Sequence, residues 1–195
     1  MSDQTRLETV LQKIDNANSA DPNMTELDGR STPSALLYGQ RMSNVLSEFQ
    51  PEASEHLQIA VRAQHIERWT RERSDYPEGR AGYLAWRKDA AVFHGQRASD
   101  LMLEAGYDQT DCERVALLLS KRAIKKDAEA QTLEDVACLV FMRWYFSPFA
   151  ADRPEDELFR IVQKTARKMS QPGRDAALKL PLPEHLVPAI QSAAD

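Results

Sequence analysis

From Val136 to about Phe149 the chain is apolar on nearly every side of a helix. Such a helix has no face to offer water, so other elements must enclose it, and it reads as the central buried helix of whatever fold the chain adopts. The residues entering it, Thr132-Leu-Glu-Asp135, have the spacing of a capping box, which carries Asp135 into that core.

The rest of the chain repeats at helical spacing too. Leu7, Val10, Leu11 and Ile14 mark a first helix over roughly Thr5 to Ala20. Loop character follows as far as Gly29-Arg30-Ser31-Thr32-Pro33, where Ser31 or Thr32 can cap a helix that holds Pro33 in its first turn and runs to about Phe49. After the break at Gln50-Pro51, a helix carries His65 and ends near Thr70 or Arg73; Tyr76-Pro-Glu-Gly79 is a turn. The period resumes at about Ala81, passes through Trp86, Ala91, His94, Ala98, Leu101 and Ala105, and stops at Gly106. A helix capped between Asp108 and Asp111 runs to about Lys121, and a basic link, Lys121 to Lys126, leads to the apolar helix. Beyond it, Pro154 and the acidic Glu155, Asp156 and Glu157 open a helix that ends in Lys164, Arg167 and Lys168, the charge order a helix dipole favours; Gln171-Pro-Gly173 ends it. The tail from Leu180 to Asp195 holds a short helix through Leu186, Val187 and Ile190. No strand-like alternation and no internal repeat is present, so the expected class is all-α, in one domain spanning 1-195.

Composition narrows the function classes. With 42% hydrophobic and 28% charged residues the chain is of ordinary globular type, and its net charge of -5 argues against a chain-wide nucleic-acid footprint. No run approaches the roughly 20 apolar residues that span a bilayer, and no secretory signal opens the chain. Cys112 and Cys138 lack metal-clip spacing and are expected as small buried thiols, which places the protein in the cytoplasm.

One stretch departs from this plain pattern. In Arg62-Ala-Gln-His-Ile-Glu-Arg-Trp69, Leu57, Val61, His65 and Arg68/Trp69 fall on one helical face, so an imidazole and a guanidinium interrupt an apolar stripe and need partners. Arg68, Arg71, Arg73, Arg80 and Arg87 alternate with Trp69, Tyr76, Tyr83 and Trp86, a supply of donors and flat rings suited to an anion that carries a ring. His94 lies on the apolar stripe of the following helix.

The helix order and several strings resemble the HD-domain superfamily, all-helical proteins that commonly hold a divalent metal and cleave phosphoester bonds. The resemblance covers about 36-145 as an HD-like core with N- and C-terminal helical extensions. Ala63-Gln-His-Ile66 stands at the family's His-Asp pair, Phe93-His94 at an additional histidine helix, and Leu133-Glu-Asp-Val136 at the helix of its distal aspartate. Tyr38 stands in the first histidine's slot and Ile66 in that of the adjoining aspartate. AQHIERW, YPEGRAGYLAWR, FHGQRA, LEDVACLVF and RKMS more closely resemble a bacterial and fungal family with no assigned function, whose fungal members are often labelled glutamyl-tRNA synthetase-like.

The resemblance implies a divalent metal (Mn, Fe, Ni, Zn or Mg) on His65, His94 and Asp135, with Asp135 and Glu134 in catalysis. Arg68, Trp69, Arg73, Tyr76, Arg80, Arg87 and Lys121 are the candidates for contacting phosphate or the rest of the ligand. The expected function is therefore a metal-dependent phosphohydrolase acting on a nucleotide or other phosphorylated small molecule. Its alternatives are a metal-free HD-like module that binds an anionic ligand, and a helical protein that docks a partner or an RNA stem.

Overall fold

The computed structural model describes residues 5–27, 29–122 and 124–194. Ala123 in the basic link and Asp195 at the end of the tail lie outside the described residues. The chain divides into two compact units, Met1–Arg122 and Ala123–Asp195. The class is all-α with one small hairpin, and among the described residues no helix is long and apolar enough to cross a membrane.

In the first unit, α1 (Arg6–Asn18) opens on a complete capping box: Thr5 Oγ1 accepts from the Glu8 amide, and the Glu8 carboxylate accepts from the Thr5 amide at 2.8 Å. Its buried face carries Val10, Ile14 and Asn18. The stretch expected as a loop then forms an antiparallel hairpin, β1 (Met24–Leu27) against β2 (Arg30–Pro33), with Thr25 opposite Thr32. Its side chains are mostly exposed, so burial imposed no alternation that the sequence could display. Ser31 and Thr32 therefore sit in a strand rather than at a helix cap, and Pro33 precedes α2 (Ser34–Phe49) instead of entering its first turn. Asp21 ties hairpin to helix, accepting from the amides of Asn23 and Ala35.

α3 (Glu55–Ala63) is capped by Ser54 and touches α1, α2 and α5 (Gln109–Ser120), so Leu57, Ala60 and Val61 are fully buried. The long α4 (Gly79–Glu104) packs chiefly along α5. Gly95 permits that approach, since a Cβ there would stand 3.3 Å from Cβ of Ala116. Gly106 ends the helix with φ +88°, and Asp108 caps α5 as its spacing predicts.

In the second unit, α6 (Ala128–Val140) starts earlier than expected. Asp127 is its cap, accepting from the amides of Glu129 and Ala130, while Thr132 lies inside the helix and donates to the Ala128 carbonyl at 3.0 Å. Past Val140 the helix loosens into a π-helical turn, Phe141–Tyr145, before α7 (Phe146–Ala150). α8 (Glu155–Ala166) follows, and Gln171-Pro-Gly173 does more than end it. Ser170 accepts from the Gly173 amide and begins α9 (Gln171–Ala177), with Pro172 in the first turn, where its missing N–H costs nothing. A short turn at Glu184–Leu186 leads into α10 (Val187–Gln191), which buries Ile190 beside α8. Cys112 and Cys138 are buried thiols.

Candidate anion site

The periodicity predicts one helix through His65 to Thr70 or Arg73, yet α3 stops at Ala63. The cause is tertiary. Glu67 takes a left-handed conformation (φ 48°, ψ 32°), which disfavours a side-chain-bearing residue by about 1–2 kcal/mol. Three anchors hold it there: the Glu67 amide donates to Asn18 Oδ1 at 3.0 Å, its carboxylate accepts from Arg97 Nε at 2.8 Å, and the neighbouring Ile66 carbonyl accepts from His94 Nδ1 at 2.8 Å. Ile66 itself is fully buried. The turn lifts His65 out of the helix and lays its ring on Tyr38 of α2, with centroids 4.3 Å apart and planes 18° apart; the His94 ring is 6.1 Å away. Asn18→Ala leaves the Glu67 amide without an acceptor. It is expected to cost about 1–3 kcal/mol in chemical denaturation, and to loosen the segment that carries His65 and Arg68.

Burial and neighbouring cations dominate the electrostatics of this cluster. Burial, followed by Arg68, His94, Lys121 and Arg87, holds His65 well below the ordinary histidine range. Burial, with Arg68 and Arg71, lowers His94 to about 4 against the opposing pull of the Ile66 carbonyl. Both rings are therefore neutral at pH 7. Arg68 is itself disfavoured as a cation, first by burial, with Arg87 adding repulsion. Among the described residues neither Arg68 nor Arg87 has a carboxylate within ion-pairing reach. Aromatic rings support the guanidiniums instead: Arg68 lies 4.4 Å from the Trp86 ring centre, Arg71 4.3 Å from that of Phe93, and Arg87 5.7 Å from that of Tyr83. Trp86 Nε1 donates to the Arg71 carbonyl at 2.8 Å, which fixes the first of these shelves.

The other candidates divide. Arg73 staples its own loop, donating to the carbonyls of Tyr76 and Pro77 at 2.9 Å, and the Tyr76 hydroxyl engages Asp89. Arg80 is exposed and Trp69 half-buried. The sequence reading missed Gln64, whose amide nitrogen donates to the Tyr38 hydroxyl at 3.3 Å, and it gave Tyr38 no part beyond filling a histidine's slot. It also passed over Asn18, buried at the end of the first apolar stripe, a position where a polar side chain signals a bond to be satisfied.

Asp135 and Glu134 belong to the second unit, whereas His65 and His94 belong to the first. Asp135 Oδ1 accepts from the Ser170 amide at 2.8 Å and from Gln131 Nε2 at 3.1 Å, and Oδ2 accepts from Ser170 Oγ at 2.5 Å. Burial pushes this carboxyl up, and the bonds from Ser170 and Gln131 pull it down. Gln131 also donates to the Lys168 carbonyl at 2.9 Å, so the aspartate brackets the Lys168-Met-Ser170 segment against α6. The fit is close: a Cβ on Gly173 would stand 2.6 Å from Asp135 Oδ1. Glu134 is buried, with Lys168 Nζ at 3.8 Å.

Within either unit this donor set does not assemble a site for a divalent cation. Among the described residues no group of three or more His, Cys, Asp or Glu side chains is placed to hold one. The charges bearing on the His65 and His94 rings are cationic, and the Asp135 oxygens are taken by Ser170 and Gln131.

Residues 8–190 match a family described as a domain of unknown function. The chain belongs to the DUF4202 family. No curated protein and no solved structure matches it significantly. The DUF4202 match takes in both compact units, the cationic cluster of the first and the Asp135 bracket of the second.

Proposed function

We propose that the DUF4202 domain binds a phosphorylated small molecule, without a metal, at the cluster formed by Tyr38, His65, Arg68, Arg87 and Lys121. One observation carries this reading: Arg68 is half-buried beside a second guanidinium and two neutral imidazoles, with no carboxylate partner among the described residues. A cation removed from water without a counter-ion is costly, and a bound anion offsets that cost. A guanidinium offers paired donors that match phosphate, and the aromatic shelves hold those donors in place. The HD-like arrangement of histidine helices belongs to the same proposal, as the ancestry of the pocket. Two buried thiols are in keeping with a cytoplasmic setting, where phosphorylated metabolites are available.

A hydrolytic reading draws on His65 alone. Kept neutral at pH 7 beside Arg68 and Arg87, its imidazole can take a proton from water attacking a phosphoryl group that the guanidiniums neutralise, and return that proton to the ester oxygen as its bond to phosphorus breaks and the alcohol leaves.

Calorimetric titration with inorganic phosphate and adenosine monophosphate tests the binding reading. Arg68→Gln is expected to weaken binding roughly tenfold or more, the scale of losing a charge-assisted hydrogen bond in a sheltered site, and Arg87→Gln, at an exposed position, to weaken it less. Unchanged affinity in both variants overturns it. Phosphate release by the wild type that disappears in His65→Asn selects hydrolysis, and no release leaves binding as the activity.

A further inference from the structure

The cationic cluster contains a feature that a plain anion does not explain. The Ile66 carbonyl can only accept a hydrogen bond, so the His94 Nδ1 that meets it at 2.8 Å carries the proton. In a neutral ring Nε2 is then a bare lone pair, an acceptor. His94 is only 3% exposed, and its Nε2 is enclosed with no hydrogen-bond partner among the described residues. Gln64 Oε1 is in the same condition, in a side chain that is 6% exposed and whose nitrogen is engaged by the Tyr38 hydroxyl. Unsatisfied buried acceptors are rare in a folded protein, because each loses its bond to water and gains nothing in return. Here they adjoin one cluster: Gln64 bonds Tyr38, Tyr38 stacks on His65, His65 lies 6.1 Å from His94, and Arg68 acts on both rings.

We infer that the ligand of this site carries an O–H or N–H donor beside its anionic group, and that His94 Nε2, with Gln64 Oε1, reads that donor. The class is a phosphate that keeps a proton, or a phosphorylated polyol or amine whose hydroxyl or amino group lies next to the phosphate. Guanidiniums do not discriminate among oxyanions of similar size and charge. A bare acceptor does, since it bonds a ligand that brings a proton and repels the oxygen of one that does not. The inference rests on the anion-binding reading above and adds to it the ligand's hydrogen-bond character.

Sulfate and hydrogen phosphate provide the test, being nearly the same size, the first without a donor at pH 7 and the second with one. Calorimetry on the full chain is expected to show phosphate binding roughly tenfold or more tightly than sulfate, the consequence of leaving a buried acceptor unpaired. In His94→Phe the preference is expected to collapse, with sulfate binding retained. Circular dichroism monitors folding of that variant, and Gln64→Met provides the same comparison should it fail to fold. Nitrogen-15 spectra of the wild type supply an independent readout: the His94 Nε2 resonance moves toward its hydrogen-bonded position on adding phosphate and stays in place on adding sulfate. Equal affinities for the two anions, both lost in Arg68→Gln, overturn the inference while the anion site stands. Binding of neither anion removes the anion site, and the inference with it.

Discussion

Asp135→Ala is expected to destabilise the second unit by roughly 3 kcal/mol, because it takes the buried acceptor from three donors, the Ser170 amide and hydroxyl and the Gln131 amide, in part-buried hydrogen bonds. Asp135→Asn is expected to cost less. Its oxygen still accepts from the Ser170 amide, and its new N–H₂ can donate to Ser170 Oγ, which has a second lone pair beyond the one facing the Gly173 amide. Chemical denaturation of the two variants measures the difference. Phosphate binding at the first unit is expected to persist in both under conditions where they are folded. An Asp135→Ala chain of undiminished stability that no longer binds phosphate would reverse the assignment, making the aspartate part of the ligand site and not a bracket for residues 168–173.

Acid is expected to weaken the first unit well before its carboxylates protonate. Unfolded, His94 titrates near 6.5; folded, it titrates at about 4. Between those values the unfolded chain binds a proton that the folded chain refuses, so the equilibrium shifts toward unfolding as pH falls. The contribution is fully present above pH 6.5 and is lost by about pH 4. A displacement of that size corresponds to about 3 kcal/mol, and His65, lowered in the same direction, adds to it. Urea unfolding at pH 7 and pH 5 measures the slope. His94→Gln retains an N–H donor for the Ile66 carbonyl but has no titrating group, so its stability is expected to fall less over the same interval. An equal fall in wild type and variant would place the acid sensitivity elsewhere. A bound anion works against this trend by lowering the local positive potential, so the wild-type slope is expected to flatten in saturating phosphate.

The origin of these groups in the chain explains how much of the site could be read in advance. Helical content was legible because amphipathic stripes are local: Val10 and Ile14 on α1, Leu57 and Val61 on α3, Ala98 and Leu101 on α4 each repeat at the spacing of a helix turn and end buried. The caps at Asp108 and the stop at Gly106 were legible for the same reason, since each depends on residues within one turn. The hairpin was not, because its exposed strands carry no alternating pattern, and neither was Asp127, because Thr132-Leu-Glu-Asp135 offered an equally good local signal four residues downstream of α6's true start.

The sequence by itself determined that the chain is helical, that its thiols are buried, and that His65, Arg68 and His94 interrupt apolar stripes and therefore require partners. Tertiary structure alone decided what those partners are. The left-handed turn at Glu67 depends on Asn18 from α1 and on His94 and Arg97 from α4, and it sets His65 on Tyr38 instead of continuing α3. Ser170, 35 positions further along the chain, occupies both oxygens of the Asp135 carboxylate, in a different unit from the histidines. Helix propensity and capping act over a few residues, so one sequence window contains them. The protonation state of a buried imidazole, and the freedom of a carboxylate to meet a ligand, depend on groups that only the folded chain brings within a few ångströms.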